Sequence, residues 1–150
     1  MIDSVILKFK KRYPHQEIIL KLPEQVVIIP MDAILIEQVL INLLENAVQH
    51  AKGMTKLSLK VWEEETQAVF EIKDDGCGIL KKQLDSLFVG GELTEYEAAD
   101  SHKKNAGIGL SVCATIIKAH GGTIEAANRK SKGAVFRFTL DTERIWDDTE

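Results

Sequence analysis

The sequence predicts an α/β fold, a two-layer sandwich in which a mixed, mostly antiparallel sheet carries three helices on one face. Two stretches read as long helices, about eighteen residues after Asp32 and then Gly107–His120. Several short apolar runs come in pairs around polar turns, as strands of antiparallel hairpins do. The length of 150 residues suits one domain with one core.

The first elements are predicted from spacing and from proline. Residues 2–12 have a loose helical pattern, and Pro14 stops it. Glu17–Leu22 and Val26–Pro30 are short apolar runs around a Pro-Glu turn, which predicts two strands in a hairpin. Asp32 is then a suitable N-cap for the first long helix, which Gly53 ends.

The chain from residue 57 onward contains four more predicted strands and two helices. The predicted strands are Leu57–Trp62, Ala68–Lys73, Thr123–Ala127 and Ala134–Leu140. A short helix is predicted near Lys81–Phe88, and Gly121-Gly122 ends the helix Gly107–His120. Residues 89–106 are polar and weakly patterned, and so long a loop in one domain is usually functional.

Composition excludes several classes of protein. Hydrophobic residues make up 45% and charged residues 28%, which is typical of a globular domain. The net charge of −4 argues against binding to nucleic acid or to an anionic membrane surface. Cys77 and Cys113 form no metal or disulfide pattern, which favours a reduced, cytosolic setting. No apolar run is as long as a membrane-spanning helix requires.

The first long helix carries a polar stripe that helix propensity does not explain. At 100° per residue its members fall within about 100° of arc; they are Gln38, Asn42, Glu45, Asn46 and Gln49. A solvated face usually contains lysine, and this stripe has none. Amide oxygens four residues apart can ligate Mg²⁺, and a carboxylate beside them can orient an attacking group. The stripe therefore predicts a site for Mg²⁺ and phosphate.

Two glycine-containing segments follow. Asp74-Asp-Gly-Cys-Gly-Ile79 comes directly after a predicted strand, where an aspartate could accept from an exocyclic amine and glycines allow a flat ring to approach. Its alternative is a tight strand-to-helix turn. Gly107-Ile-Gly-Leu110 is predicted to open the second long helix, where free N–H groups bind phosphate, although this segment taken alone is better explained by packing at the helix start.

These motifs, in this order, resemble the ATP-binding domain of sensor histidine kinases and the wider group of gyrase, Hsp90 and MutL, which shares the Bergerat (GHKL) fold. Asn42-Leu-Leu-Glu-Asn46-Ala resembles the N box, Asp74–Ile79 the G1 box and Asn105–Leu110 the G2 box. Gly133-Ala-Val-Phe resembles the last glycine motif, and residues 31–48 are most similar to the potassium-responsive KdpD type. The resemblance covers roughly residues 15–141, with 1–14 as a connecting helix and 142–150 as a polar tail.

The resemblance implies a role for each matching residue. Asp74 would accept from the adenine amino group, and Asn46 with Asn42 would hold Mg²⁺ and phosphate oxygens. Glu45 would be a catalytic base or orienting group near the γ-phosphate. His50 would stack on adenine, or else be a surface histidine. The further nucleotide-binding residues implied are Gln49, Gly76, Gly78, Ile79, Gly107, Ile108, Gly109 and Leu110.

Residues 89–106 would form the lid over ATP. Lys103 or Lys104 would reach the γ-phosphate from it, with Lys104 as the catalytic one, unless both are a solvated basic pair. Three departures from the family pattern bear on lid closure: Gln49 replaces a basic residue, Asn105 replaces a glycine, and the second phenylalanine after Phe88 is absent.

None of the four histidines has the sequence context of a phosphoacceptor. The resemblance therefore implies the catalytic half of a kinase, which passes the γ-phosphoryl group of ATP to a histidine on a separate dimerisation domain and works with a response regulator. The parent protein would be membrane-anchored. Two alternatives stay open: a free-standing anti-sigma-type serine kinase, and a non-catalytic interaction module with vestigial nucleotide binding.

Overall fold

The computed structural model describes residues 1–88 and 101–142, and within 101–108 it describes the backbone alone. The helices in this part of the chain are α1 (Ile2–Arg12), α2 (Ala33–His50), α3 (Lys81–Leu84) and α4 (Ser101–Ala119). The strands are β1 (Ile18–Lys21), β2 (Leu57–Glu64), β3 (Gln67–Asp74), β4 (Thr123–Asn128) and β5 (Ala134–Asp141).

The strands form one sheet in the order β1-β2-β3-β5-β4. β1 runs parallel to β2, with Ile18 opposite Leu57, and each of the other pairs is antiparallel. The predicted mixed, mostly antiparallel sheet is therefore confirmed. The four strands predicted between residues 57 and 140 lie within two residues of their predicted ends.

The core lies between one face of the sheet and helices α1, α2 and α4. Inward-facing residues of β2, β3 and β5 form one buried cluster with the apolar faces of these three helices. Phe70 and Phe138 stack at its centre, with ring centroids 4.6 Å apart and planes 6° apart. An aromatic pair of this kind adds about 1 kcal/mol to the free energy of burial. The predicted three helices on one face are thus confirmed.

Helix α2 begins and ends where the sequence predicts. The carboxylate of Asp32 accepts a hydrogen bond from Leu35 N–H at 3.1 Å, which satisfies one of the amides that a helix start leaves unpaired. The helix then runs for 18 residues to His50. Its residues Leu40, Leu43 and Leu44 are fully buried against the core, and the polar stripe lies on the other side.

The predicted hairpin of Glu17–Leu22 with Val26–Pro30 is wrong. β1 pairs with β2 instead, and residues 26–30 are extended but belong to no strand. Pro30 has no N–H to give to a ladder, and Val26 is 90% exposed. Alternate residues Val27 and Ile29 pack against the core. The apolar alternation therefore reflects an extended segment lying on the core rather than a paired strand.

Helix α4 starts six residues earlier than predicted, at Ser101 rather than Gly107. Two glycines in a helical pattern were read as its start, whereas they lie inside it. The predicted lid, residues 89–106, is therefore helical over its last six positions; the rest of it, 89–100, lies outside the described residues. Helix α3 is also shorter than predicted and ends at Leu84.

Helix α1 packs on the same core as the rest of the fold. Val5 and Phe9 are fully buried in it, and the helix lies against α2. The division of the chain at residues 14 and 141 stays a prediction. In the parts of the chain at 1–88 and 101–142, no helix has both the length and the apolar character to cross a membrane.

Candidate functional site

A cavity open to solvent lies where the end of α2 meets the end of β3 and the start of β5. Its space, including the part that is open to solvent, is about 260 Å³. The residues that line it are Asn46, Ala47, His50, Ala51, Asp74, Gly78, Ile79, Ala134 and Phe136. Five of the predicted site residues meet here, although they are up to 33 positions apart in the chain: Asn46, His50, Asp74, Gly78 and Ile79.

Asp74 is the buried polar group of this cavity. It is the last residue of β3 and is only 3% exposed. Oδ1 of its carboxylate accepts hydrogen bonds from Gly76 N–H at 2.9 Å and from Ala134 N–H at 3.2 Å. Two backbone donors thus hold one oxygen of the carboxylate in place. Such an arrangement can present the other oxygen to a ligand as a fixed acceptor.

The turn from Asp74 to Ile79 packs so closely on its neighbours that glycine is required in it. A Cβ on Gly76 would lie 2.6 Å from Cβ of Ala51, at the end of α2. Gly78 has φ +80°, and a Cβ there would lie 2.7 Å from Oδ1 of Asn128. The glycines were predicted to let the backbone approach a ligand closely. In the structure they let the turn approach Ala51 and Asn128.

Asp75 ties the same turn to the residues that precede β2. Its carboxylate accepts from Thr55 N–H at 2.7 Å, from the Thr55 hydroxyl at 2.6 Å and from Lys56 N–H at 2.8 Å. The hydrogen bond from the Thr55 hydroxyl, followed by those from the two backbone amides, lowers the pKa of Asp75 well below its ordinary value. This aspartate is therefore structural, next to the one that lines the cavity.

We expect Asp75→Asn to destabilise the fold at neutral pH and to flatten its response to acid. Because the pKa of Asp75 is lower in the folded chain, its ionised form stabilises the fold above about pH 4, the ordinary value, and loses this effect as pH falls further. Thermal melts between pH 7 and pH 2.5 test this, with Asp85→Asn, at an exposed aspartate, as the control. Parallel pH profiles for wild type and Asp75→Asn would contradict it.

The two asparagines of the polar stripe occupy different surroundings. Asn46 lines the cavity. Asn42, one turn earlier, accepts from Gln38 Nε2 at 2.9 Å and donates to Sγ of Cys113 at 3.9 Å. Burial raises the pKa of the Cys113 thiol to about 11, despite the hydrogen bond from Asn42. Asn42 thus joins α2 to α4 through a neutral thiol, and it does not line the cavity.

Glu45 and Gln49 lie on the side of α2 that faces α1. The carboxylate of Glu45 accepts from Nη1 of Arg12 at 2.8 and 3.1 Å. Gln49 donates to the hydroxyl of Tyr13 at 3.3 Å. Neither side chain lines the cavity. The stripe that looked continuous in the sequence is therefore divided among the cavity, helix α1 and helix α4.

The glycines of α4 do not open the helix. Gly107 and Gly109 are its seventh and ninth residues, beyond the first four positions, whose N–H groups lack partners within a helix. The sequence predicted that their backbone amides would be free to bind phosphate. In this conformation they are not available. A Cβ on Gly109 would lie 3.7 Å from Nδ2 of Asn42, so this glycine faces the polar side of α2.

The remaining predicted residues of this segment do not contribute to the cavity as described. Leu110 is 5% exposed and belongs to the core. The side chains of Lys103, Lys104 and Ile108 lie outside the described part of the chain. Their predicted contacts with phosphate stay predictions.

Sequence reasoning missed several residues of the site. Ala134 and Phe136 line the cavity from β5, and Ala47 and Ala51 line it from α2. Ordinary apolar residues of this kind carry no chemical pattern, so only the fold reveals them. Gly133, which precedes β5, was noticed as part of a motif, and a Cβ there would lie 2.0 Å from the backbone oxygen of Asp74.

Comparison with known proteins agrees with this geometry. Residues 31–144 match the family described as histidine kinase-, DNA gyrase B-, and HSP90-like ATPase. The chain is 36% identical to the sensor protein KdpD of Clostridium acetobutylicum over 95% of its length, and 38% identical to KdpD of Escherichia coli over 81%. It spans only 16% and 13% of these two relatives.

A solved structure gives the same result for the fold. The catalytic domain of histidine kinase ThkA, in a nucleotide-free form, superposes with a TM-score of 0.76 at 26% identity, over 93% of this chain and 89% of that one. The ATP-binding domain of PrrB from Mycobacterium tuberculosis, at 22% identity, shares the fold with a TM-score of 0.73.

Fold and cavity together define an ATPase–kinase domain of the Bergerat type. The chain belongs to the histidine kinase-, DNA gyrase B-, and HSP90-like ATPase family, and the resemblance stated from its motifs is confirmed. Among its relatives are sensor histidine kinases, and two that are 36% and 38% identical over the aligned residues are KdpD proteins.

Proposed function

We propose that this chain is the Mg²⁺- and ATP-binding catalytic part of a KdpD-like, potassium-responsive sensor kinase. It would transfer the γ-phosphoryl group of ATP to a histidine on a separate dimerisation domain, for onward transfer to a response regulator. The observation that carries the proposal is the cavity in which the fixed carboxylate of Asp74 and the amide of Asn46 face the same space. The parent protein would be anchored in the membrane, with this part in the cytoplasm.

Asp74 is suited to recognise adenine. Its Oδ1 already accepts from two backbone amides, so Oδ2 is the oxygen that would accept from the exocyclic amine of the base. Ala47, Ile79 and Phe136 supply apolar surface for the ring. His50 lies at the rim, where its imidazole could stack on the base. A guanine would present a carbonyl oxygen to the same carboxylate and would be repelled.

Asn46 is the residue of the cavity suited to Mg²⁺. Its amide oxygen is a hard, neutral ligand of the kind that Mg²⁺ accepts. No three His, Cys, Asp or Glu side chains gather into a metal site in the part of the chain described here. Mg²⁺ bound at Asn46 would therefore take most of its ligands from phosphate and water, as it commonly does with nucleotides. Asn42, the second ligand that the motif implies, does not line the cavity, although its oxygen keeps one lone pair beside the hydrogen bond from Gln38.

Phosphoryl transfer asks a protein mainly to position the reactants and to neutralise charge. Asn46 would position the phosphates, and Lys103 or Lys104 would approach the γ-phosphate. Glu45 could act as base or orienting group only after breaking its ion pair with Arg12. The nucleophile, a histidine, would come from the partner domain.

We expect Asp74→Asn to reverse the preference between adenine and guanine nucleotides. The asparagine oxygen can still accept from Gly76 and Ala134, so the turn keeps its backbone donors. Its NH₂ group then points at the base, where it repels an amine and can donate to the carbonyl oxygen of guanine. A donor–donor mismatch at a buried site costs roughly tenfold or more in affinity. Calorimetric titration of non-hydrolysable ATP and GTP analogues measures both affinities.

The control for this prediction is Asp141→Asn, at an exposed aspartate that ends β5 away from the cavity. It should leave both affinities unchanged. An Asp74→Asn variant that keeps the wild-type ratio of ATP to GTP affinity, with an unchanged melting temperature, would contradict the role proposed for Asp74.

The kinase proposal is tested by phosphotransfer in trans. The chain is incubated with Mg²⁺, radiolabelled ATP and the separately expressed dimerisation domain of the Clostridium acetobutylicum KdpD. Acid-labile, alkali-stable label on that domain is the expected result, because phosphohistidine has this stability. Acid-stable label on serine would favour the anti-sigma-type kinase instead. Absence of transfer together with absence of ATP binding in a parallel titration would favour the interaction module.

A further inference from the structure

The last residue of β4, Asn128, hydrogen-bonds both polar backbone groups of Ile79. Ile79 N–H donates to Oδ1 of Asn128 at 2.7 Å, and Nδ2 of Asn128 donates to the carbonyl of Ile79 at 2.8 Å. A side-chain amide thereby makes the paired contact that one peptide group makes with another in a sheet. Ile79 lines the cavity, so this contact fixes one of its walls.

The next residue, Arg129, holds the other end of the same turn. Its Nη1 donates to the carbonyl oxygen of Asp74 at 2.8 Å, and its own N–H donates to the carbonyl of Gly133 at 2.8 Å. Two consecutive residues thus hydrogen-bond the backbone of the first and last residues of the turn from Asp74 to Ile79. We call Asn128 and Arg129 the β4 clamp.

From this geometry we propose that the β4 clamp positions the turn for base recognition and thereby sets how well the cavity distinguishes adenine from guanine. The inference rests on the function proposed above and extends it to two residues that lie outside the cavity lining. Asn128 and Arg129 are positioning residues. They act through Ile79 and Asp74 and do not touch the nucleotide.

The physical basis is pre-organisation. A turn already held in its binding conformation does not have to be ordered when the ligand arrives, so less binding free energy is lost. Discrimination depends on the Asp74 carboxylate meeting the base at one angle, and Arg129 holds the backbone of that residue. Gly78 lets Asn128 come this close, because a Cβ there would lie 2.7 Å from its amide oxygen.

The clamp is separable from the stability of the core. Asn128 is exposed and Arg129 is half-buried, so the groups they leave can be hydrated when either side chain is removed. Asp74 also keeps the two backbone donors to its carboxylate. Loss of the clamp should therefore loosen the turn without unfolding the domain.

The test is calorimetric titration of Mg²⁺ with ATP and GTP analogues into wild type, Asn128→Ala and Arg129→Met. We expect each variant to bind the ATP analogue roughly tenfold more weakly, a change of the size that one or two hydrogen bonds produce. Binding of the GTP analogue should change little, so that the ratio of the two affinities falls. Arg129→Lys, which keeps one donor for the Asp74 carbonyl, should recover much of the ratio.

The matched control is Thr139→Val. It removes a side-chain contact made by the opposite end of β4, the 2.9 Å pair of Thr123 in β4 with Thr139 in β5. It should lower the melting temperature about as much as Asn128→Ala and leave the affinity ratio alone. If Thr139→Val shifts the ratio equally, the clamp has no special role.

The outcomes separate the clamp from the function it rests on. If wild type binds the ATP analogue and the affinity ratio is unchanged in Asn128→Ala and Arg129→Met, the role of the clamp is overturned. The proposed function then still stands. Wild type that binds neither analogue overturns the proposed function and the clamp with it. If Asn128→Ala does not fold, Arg129→Met against Arg129→Lys decides the question.

Discussion

Replacing Asn46 with alanine is expected to lower Mg²⁺-dependent affinity for an ATP analogue by at least about a hundredfold. Loss of a group that merely hydrogen-bonds a metal ligand costs about ten- to a hundredfold, so loss of the ligand itself should cost at least the upper figure. The fold should be unaffected. Asn46 lies on the cavity side of α2 while the buried leucines of the helix face the core. Alanine is also the better helix former, by about 0.7 kcal/mol at most. The melting temperature should therefore stay the same or rise slightly.

Calorimetric titration with and without Mg²⁺, together with thermal melts, measures both parts of this prediction. Gln38→Ala is the matched control, because it removes an amide from the same helix two turns before Asn46, outside the cavity lining. The control should bind as wild type does. Equal affinity in Asn46→Ala and wild type would show that the Asn46 amide does not hold the metal.

Gly133→Ala is expected to lower the free energy of unfolding by about 3 kcal/mol or more, the largest stability effect that we foresee. Gly133 has φ +97°, a conformation that costs any other residue energy. A Cβ there would also lie 2.0 Å from the backbone oxygen of Asp74, so the start of β5 and the end of β3 would have to separate. The same movement would disturb the acceptor proposed for adenine.

Gly121→Ala separates the two causes. Gly121 also has positive φ, at +76°, but a Cβ there would meet nothing within 4 Å. Only the backbone strain of about 1–2 kcal/mol should appear in this control. Chemical denaturation of the two variants measures the difference. Equal losses would mean that the close approach of Gly133 to Asp74 adds nothing to the effect.

The sheet and the central helix were predictable because each depends on local pattern. The strands β2 to β5 alternate or nearly alternate, and α2 has a capping aspartate followed by 18 residues free of glycine and proline. The parallel partner of β1 was not predictable in this way. Pairing between β1 and β2 joins residues 39 apart, Ile18 and Leu57, and nothing in either segment specifies the other.

The start of α4 was misplaced because glycine was given too much weight. Gly107 and Gly109 are poor helix formers, yet they lie in the interior of the helix. Packing of α4 against α2 and the core thus outweighs local preference. Helical periodicity likewise placed Glu45 with Asn46, whereas the position of α1, which periodicity cannot give, draws Glu45 to Arg12.

The candidate site was predictable where chemistry marks the residue. Asn46, His50 and Asp74 were named from motifs and do meet in one cavity, although the role of each stays a prediction. Asn128 was not noticed, because an asparagine at the end of a strand has no distinctive pattern. Its pairing with Ile79, 49 residues away, depends on the approach of two turns in the finished fold.

The most direct test of the central claim, that this cavity binds the nucleotide, is NMR titration of the ¹⁵N-labelled chain with Mg²⁺ and a non-hydrolysable ATP analogue. The largest amide shifts should fall on the cavity, above all on Gly76 and Ala134, whose N–H groups donate to the Asp74 carboxylate. Shifts that cluster elsewhere, with these two amides unmoved at saturation, would contradict the assignment of the cavity as the nucleotide site.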